Sequence, residues 1–122
     1  MKTQSLIDRL DAHERQRQRD LLMAAAGHAV ASGRAWAPGL ARELQVNLPT
    51  ANELLDELIR REVCNVRYTA STTAHNVTDS YPVTSDFFER CRASGLDLSN
   101  RSGTDALDHA TRIATSVLSA QE

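Results

Sequence analysis

Aromatic side chains are scarce in this chain of 122 residues: phenylalanine, tyrosine and tryptophan make up 4% of it, although 41% is hydrophobic. A β-sandwich core draws on aromatic and β-branched side chains, so this composition disfavours one and suits close-packed helices. Cysteine is rarer still. Cys64 and Cys91 are too few and too far apart for a disulfide framework, and read as free thiols of a reducing compartment. No apolar run approaches the ~20 residues of a membrane-spanning helix, and no charged-then-apolar leader opens the chain. A cytoplasmic protein with no membrane partner is expected. A net charge of −2 excludes a polycation, so nucleic-acid binding would need a local basic patch.

One domain is expected over 1–122, since roughly two thirds of the unfolded surface of a chain this long can be buried without staples. It divides into a helical arm (1–20), a core (21–83) and C-terminal helices (84–122). Residues 1–33 have no proline, and no glycine before Gly27, so one long helix is expected. Leu6, Ile7 and Leu10 make a small apolar stripe. The stretch DAHERQRQRD, Asp11 to Asp20, has no apolar face beyond Ala12. A helix polar all round bridges through solvent or is not stable alone. Leu21 to Ala31 is strongly apolar again, and Ser32-Gly33 can end the helix. An arm on a polar spacer points to oligomerisation. The expected product is a homodimer joined through Leu6, Ile7 and Leu10 with the C-terminal stripe Leu107, Ile113, Val117 and Leu118.

Pro38 can open a short helix, PGLARELQ, where its missing N–H costs nothing. Asn47 can cap the next helix with its side-chain oxygen, and Pro49 falls in a first turn that tolerates it. Ala51, Leu54, Leu55, Leu58 and Ile59 then recur at the spacing of one buried helical face. From Val63 the period changes to two. Cys64, Val66 and Tyr68 alternate with polar residues, Thr69 to Asn76 is a polar tip, and Val77, Tyr81 and Val83 alternate again. This predicts a hairpin. Asp86 to Ser94 reads as a short helix holding Phe87 and Phe88, and Gly95 to Gly103 as a loop. Thr104 or Asp105 caps a last helix with an apolar stripe from Leu107 to Leu118. The fold class is mostly α with a small β-hairpin.

The order helix, short helix, tight turn, helix, hairpin resembles a winged helix-turn-helix. Its centre, LARELQVNLPTANELLDELIRREV, is similar to the reading heads of bacterial regulators of the GntR and MarR type, and to the DNA-orienting end domain of FtsK-type translocases. The residues that carry this are Leu40, Leu44, Val46, Asn47, Pro49, Thr50, Ala51, Leu55 and Leu58. The resemblance covers about a third of the chain. It implies a winged helix-turn-helix with extra N- and C-terminal helices, a double-stranded DNA partner and a role in transcription regulation. Those families place glycine before the first wing strand, where this chain has Glu62, and often in the turn, where it has Gln45. Glycine there accommodates positive φ, so a slightly different turn geometry is expected.

The recognition helix departs further. Its exposed positions are Thr50, Asn52, Glu53, Asp56, Glu57 and Arg60, whereas DNA affinity comes largely from lysine and arginine on phosphates. Between Arg34 and Tyr68 five arginines meet five acids. Position still decides, because the first turn of such a helix does the reading. Asn47, Thr50, Asn52 and Glu53 are the base-reading candidates; Asn52 suits adenine and Glu53 can accept from cytosine N4. Arg34, Arg42, Arg60 and Arg67 are the phosphate candidates, joined by Arg15, Arg17 and Arg19 if that spacer is more than a solvated helix. Alternatively the acidic helix binds a protein partner, and Glu57 with Arg61 is a plain i,i+4 pair. Trp36 reads as a plug between the first helix and the wing. His13, His28, His75 and His109 sit in four elements without metal-helix spacing, and a zinc site from Cys64, His75 and Cys91 is conceivable on geometry alone. No nucleophile elbow or phosphate-binding loop is present. Neither an enzyme nor a cofactor is expected.

Overall fold

The computed structural model describes residues 2–65 and 80–121, with side chains for 11–65 and 80–121. Val66 to Asp79 lie outside it, including Arg67, His75 and the tip of the expected hairpin. So do the side chains of Leu6, Ile7 and Leu10. The described residues form five helices and a two-stranded antiparallel sheet.

α1 runs unbroken from Lys2 to Ser32. It stops at Gly33, which takes φ 84° and returns its N–H to Ala29 O at 2.7 Å, the left-handed helix ending that glycine favours. α5 (Gly103–Gln121) packs along it in the opposite direction, since Gly27 meets Thr111 while Arg19 hydrogen-bonds Ser119. Alanines 25, 26 and 29 of α1 and 110 and 114 of α5 are fully buried, so small side chains let the backbones approach closely. Because Ser119 lies opposite Arg19, Lys2 to Gln16 extend beyond the end of α5, about 22 Å at 1.5 Å per residue. Asp11 to Gln18 are all exposed.

The C-terminal stripe is used within the chain. Val117 and Leu118 are buried, and Leu107 and Ile113 half-buried, so the expected dimer face on α5 is largely consumed by packing inside one protomer. Amphipathicity marks a face to be covered; it does not say by which chain.

α2 (Ala37–Leu44) and α3 (Leu48–Arg60) follow, with prolines in their first turns. The Asn47 side chain accepts from the Thr50 N–H at 2.9 Å, the expected cap. Ala51, Leu54, Leu55 and Leu58 are buried, and Ile59 is packed against them half-buried. α4 (Ser85–Ala93) is capped by Thr84, whose hydroxyl accepts from Phe87 N at 3.1 Å.

The sheet is more than the expected hairpin. β1 (Arg34–Ala35) pairs with β2 (Tyr81–Pro82), a strand that period-two reasoning misses because two residues show no period. On the other side of β2, Cys64 bridges to Val83, Asn65 donates to Pro82 O at 2.9 Å, and Thr84 donates to Val63 O at 2.9 Å. These bonds register the base of the expected hairpin. Its upper part lies in the undescribed segment.

Gln45 and Glu62 take φ 56° and φ 64°, the positive-φ non-glycine residues among those described. The turn and the approach to the sheet keep the left-handed geometry that glycine would favour, with ordinary side chains bearing the strain.

Candidate nucleic-acid interface

α3 begins on two exposed residues, Leu48 and Pro49, after its exposed cap Asn47. Leu48, 38% exposed, is the large apolar side chain left open among the described residues. Opposite the buried face, Pro49, Glu53, Asp56 and Arg60 recur at helical spacing, and all four are exposed. The outermost ridge of α3 therefore carries two acids, neither with an ion-pair partner among the described residues. Thr50 and Asn52, both half-exposed, lie on opposite flanks of that ridge.

The Thr50 flank faces α1. Between them runs an open groove of about 810 Å³. One wall is α1, with Glu14, Arg15, Arg17, Gln18 and Arg19; the other is α3 and its cap, with Asn47, Thr50, Glu53, Glu57, Arg60 and Arg61. Leu21, Leu22, Val46 and Leu54 make an apolar floor. Five arginines thus meet three glutamates in one groove. Helical pairing disposes of one acid: Glu57 takes Arg61 Nε on Oε1 at 2.7 Å, and Arg60 sits on its other oxygen. The Arg61 hydrogen bond, helped by Arg60, holds the Glu57 carboxyl below the usual carboxylate range. Burial opposes this and does not win. The expected Glu57–Arg61 pair is present, and Arg60 is engaged with Glu57 instead of standing free for phosphate.

The structure brings together Asn47, Thr50, Glu53 and Arg60 of the expected set in this groove. Arg34 on β1 and Arg42 on α2 are exposed but outside it, and Arg67 falls among the undescribed residues. Trp36, half-buried, lies with its indole over Gly39, against the first turn of α2.

Elsewhere, chemistry is sparse. Cys64 and Cys91 are buried thiols, pushed up by desolvation to about 12 and about 11, which leaves almost no thiolate at neutral pH. Among the described residues no group of His, Cys, Asp and Glu could hold a metal, and none of their helices is long and apolar enough to cross a membrane. His109, buried on α5, accepts the Asp97 N–H on Nε2 at 3.1 Å and so fastens the α4–α5 loop. Nothing local in the sequence marks His109 for this, because its partner is twelve residues back across a loop.

The chain matches no protein-family profile, no curated protein and no solved structure.

Proposed function

We propose that this chain is a winged helix-turn-helix protein that binds double-stranded DNA in a sequence-specific way and regulates transcription as a homodimer. The observation that carries the reading is the groove in which the neutral first turn of α3, Asn47 to Thr50, faces three arginines of α1. Hydrogen-bonding side chains suit base edges, and clustered guanidinium groups suit phosphates. Two further features support it. The left-handed non-glycine residues among those described are Gln45 and Glu62, the positions at which the resembling families carry glycine. The segments 63–65 and 81–84 are hydrogen-bonded as the base of a wing would be. Dimerisation then falls to the projecting half of α1, since α5 has covered most of its own apolar stripe. The reading places the protein in the cytoplasm, where reducing conditions keep both thiols free.

A gel-shift titration of the full chain against random and genomic fragments at low salt tests it. Retention of a subset of fragments at micromolar protein is expected. No retained fragment at tens of micromolar means the DNA reading is wrong.

A second reading is favoured by one observation, the exposed Glu53 and Asp56 on the outermost ridge of α3. In it the same fold is a protein-interaction module, an adaptor or inhibitor, and that ridge docks a basic partner surface. Affinity capture with immobilised chain, followed by loss of the partner on Glu53→Lys, would support it over DNA.

A further inference from the structure

We infer that the groove between α1 and α3 is the track of one DNA phosphate strand, held by Arg15 and Arg17 of the α1 arm. The inference rests on the DNA reading and assigns its main phosphate contacts to the arm, not to the recognition helix. Its basis is the pairing of charges among the described residues, where Arg34, Arg42 and Arg112 also hold no carboxylate but lie outside the groove. Arg60 and Arg61 are taken by Glu57, and Arg90, Arg92 and Arg101 each hold a carboxylate oxygen within 3.1 to 3.5 Å. Arg15 and Arg17 hold none among the described residues, although Glu14 and Asp20 are close by in sequence. Those acids are engaged by glutamines instead: Gln18 donates to Glu14 at 3.4 Å and Gln16 to Asp20 at 2.8 Å.

The alternation of Arg and Gln through this spacer therefore has a physical consequence. Glutamine takes up the acids' hydrogen bonds and leaves two guanidinium groups without an ion pair among the described residues on the wall of a groove. The floor beneath them is apolar, which weakens solvent screening of whatever charge enters. Opposite them stands Thr50, with Asn47 beside it, so a strand held here would lie against the turn that reads bases. Each strand of a duplex carries one negative charge per about 3.4 Å of axis, and the arm continues for about 22 Å past α5, long enough to follow several phosphates. Glu53, unpaired on the far wall, opposes the strand and limits its affinity.

The test is a salt series of fluorescence-anisotropy titrations, using the full chain and a labelled random-sequence duplex. Arg15→Ala with Arg17→Ala should make the slope of log K against log salt shallower by about 2, since each lost phosphate contact removes roughly 0.9. Both side chains are exposed, so helix content should not change. Arg90→Ala with Arg92→Ala, on α4 and outside the groove, should leave the slope as in the wild type. A wild type that binds, with an unchanged slope in the Arg15/Arg17 variant, overturns the track while leaving the DNA reading intact. A wild type that does not bind at low salt overturns both.

Discussion

Gln45 and Glu62 share one backbone conformation just past two helix ends: Gln45 caps α2 at φ 56°, and Glu62 follows the Arg61 cap of α3 at φ 64°. A left-handed residue with a Cβ costs roughly 1–2 kcal/mol, and glycine removes that cost while adding roughly 0.4–1 kcal/mol of unfolded-state entropy. The first effect is the larger. Gln45→Gly and Glu62→Gly should therefore each raise stability, by up to about 1 kcal/mol, seen as a Tm higher by a few degrees. Glu62→Val should lower it, because a β-branched side chain fits positive φ worst. A drop in Tm for both glycine variants would mean these side chains stabilise the turns in a way that outweighs strain.

Gly27 gives a prediction of the opposite sign. In an exposed helix, alanine would gain about 1 kcal/mol over glycine. Here an added Cβ would lie 2.0 Å from Thr111 Oγ1 and 2.4 Å from its Cα. A backbone atom cannot rotate away, so α1 and α5 must separate. Gly27→Ala should cost about 1–3 kcal/mol despite better helix propensity, measured by urea denaturation. Thr111→Ala removes the hydroxyl but not the Cα clash, so it should not rescue the variant.

Much of the fold was legible because it is written in local signals. Asn47 before Pro49, the Ser32-Gly33 stop and the stripe from Ala51 to Leu58 each specify their own neighbourhood. What was not legible depends on which surface meets which. The stripe ending in Val117 and Leu118 looks the same whether α1 or a second protomer covers it. Arg60 reads as a free cation until Glu57, three residues back, is seen to hold it together with Arg61. The groove itself joins residues more than thirty positions apart, and no spacing rule could have paired Arg15 with Thr50.

Acid should weaken the α4–α5 loop through Asp97. Its carboxylate accepts from the Ser99 hydroxyl at 2.6 Å and from the Ser99 N–H at 3.0 Å, bonds that hold it below the usual carboxylate range. A group whose folded value is depressed contributes stability above its unfolded value, about 3.9 for Asp. That contribution is lost as pH falls through the lower folded value. The window is below about pH 4. The Tm difference between wild type and Asp97→Asn should be steady at neutral pH and shrink through that window. Comparing two proteins cancels the other titrating groups. A difference that stays constant down to pH 2 would show that the charge on Asp97 does not matter.

The ridge of α3 gives the two functional readings opposite outcomes for one pair of changes. Glu53 and Asp56 are exposed and unpaired among the described residues, whereas Glu57 is already neutralised by Arg60 and Arg61. Reversing the first two therefore changes the field with little change in stability, since exposed charges contribute at most about 1 kcal/mol. If DNA lies against this helix, Glu53→Lys with Asp56→Lys should strengthen non-specific binding and steepen the salt dependence, because more counterions are displaced. Asn52→Ala should instead weaken only the preferred site, by about 1–3 kcal/mol if its side chain pairs with a base. If the ridge docks a basic protein, the same double change should abolish that complex by reversing charge complementarity, and DNA binding should be absent in the wild type. Anisotropy with duplex DNA and pull-down with immobilised chain, run on the same three proteins, separate the two. Unchanged DNA affinity in the double-lysine variant, with the wild type binding, would place DNA away from α3 altogether.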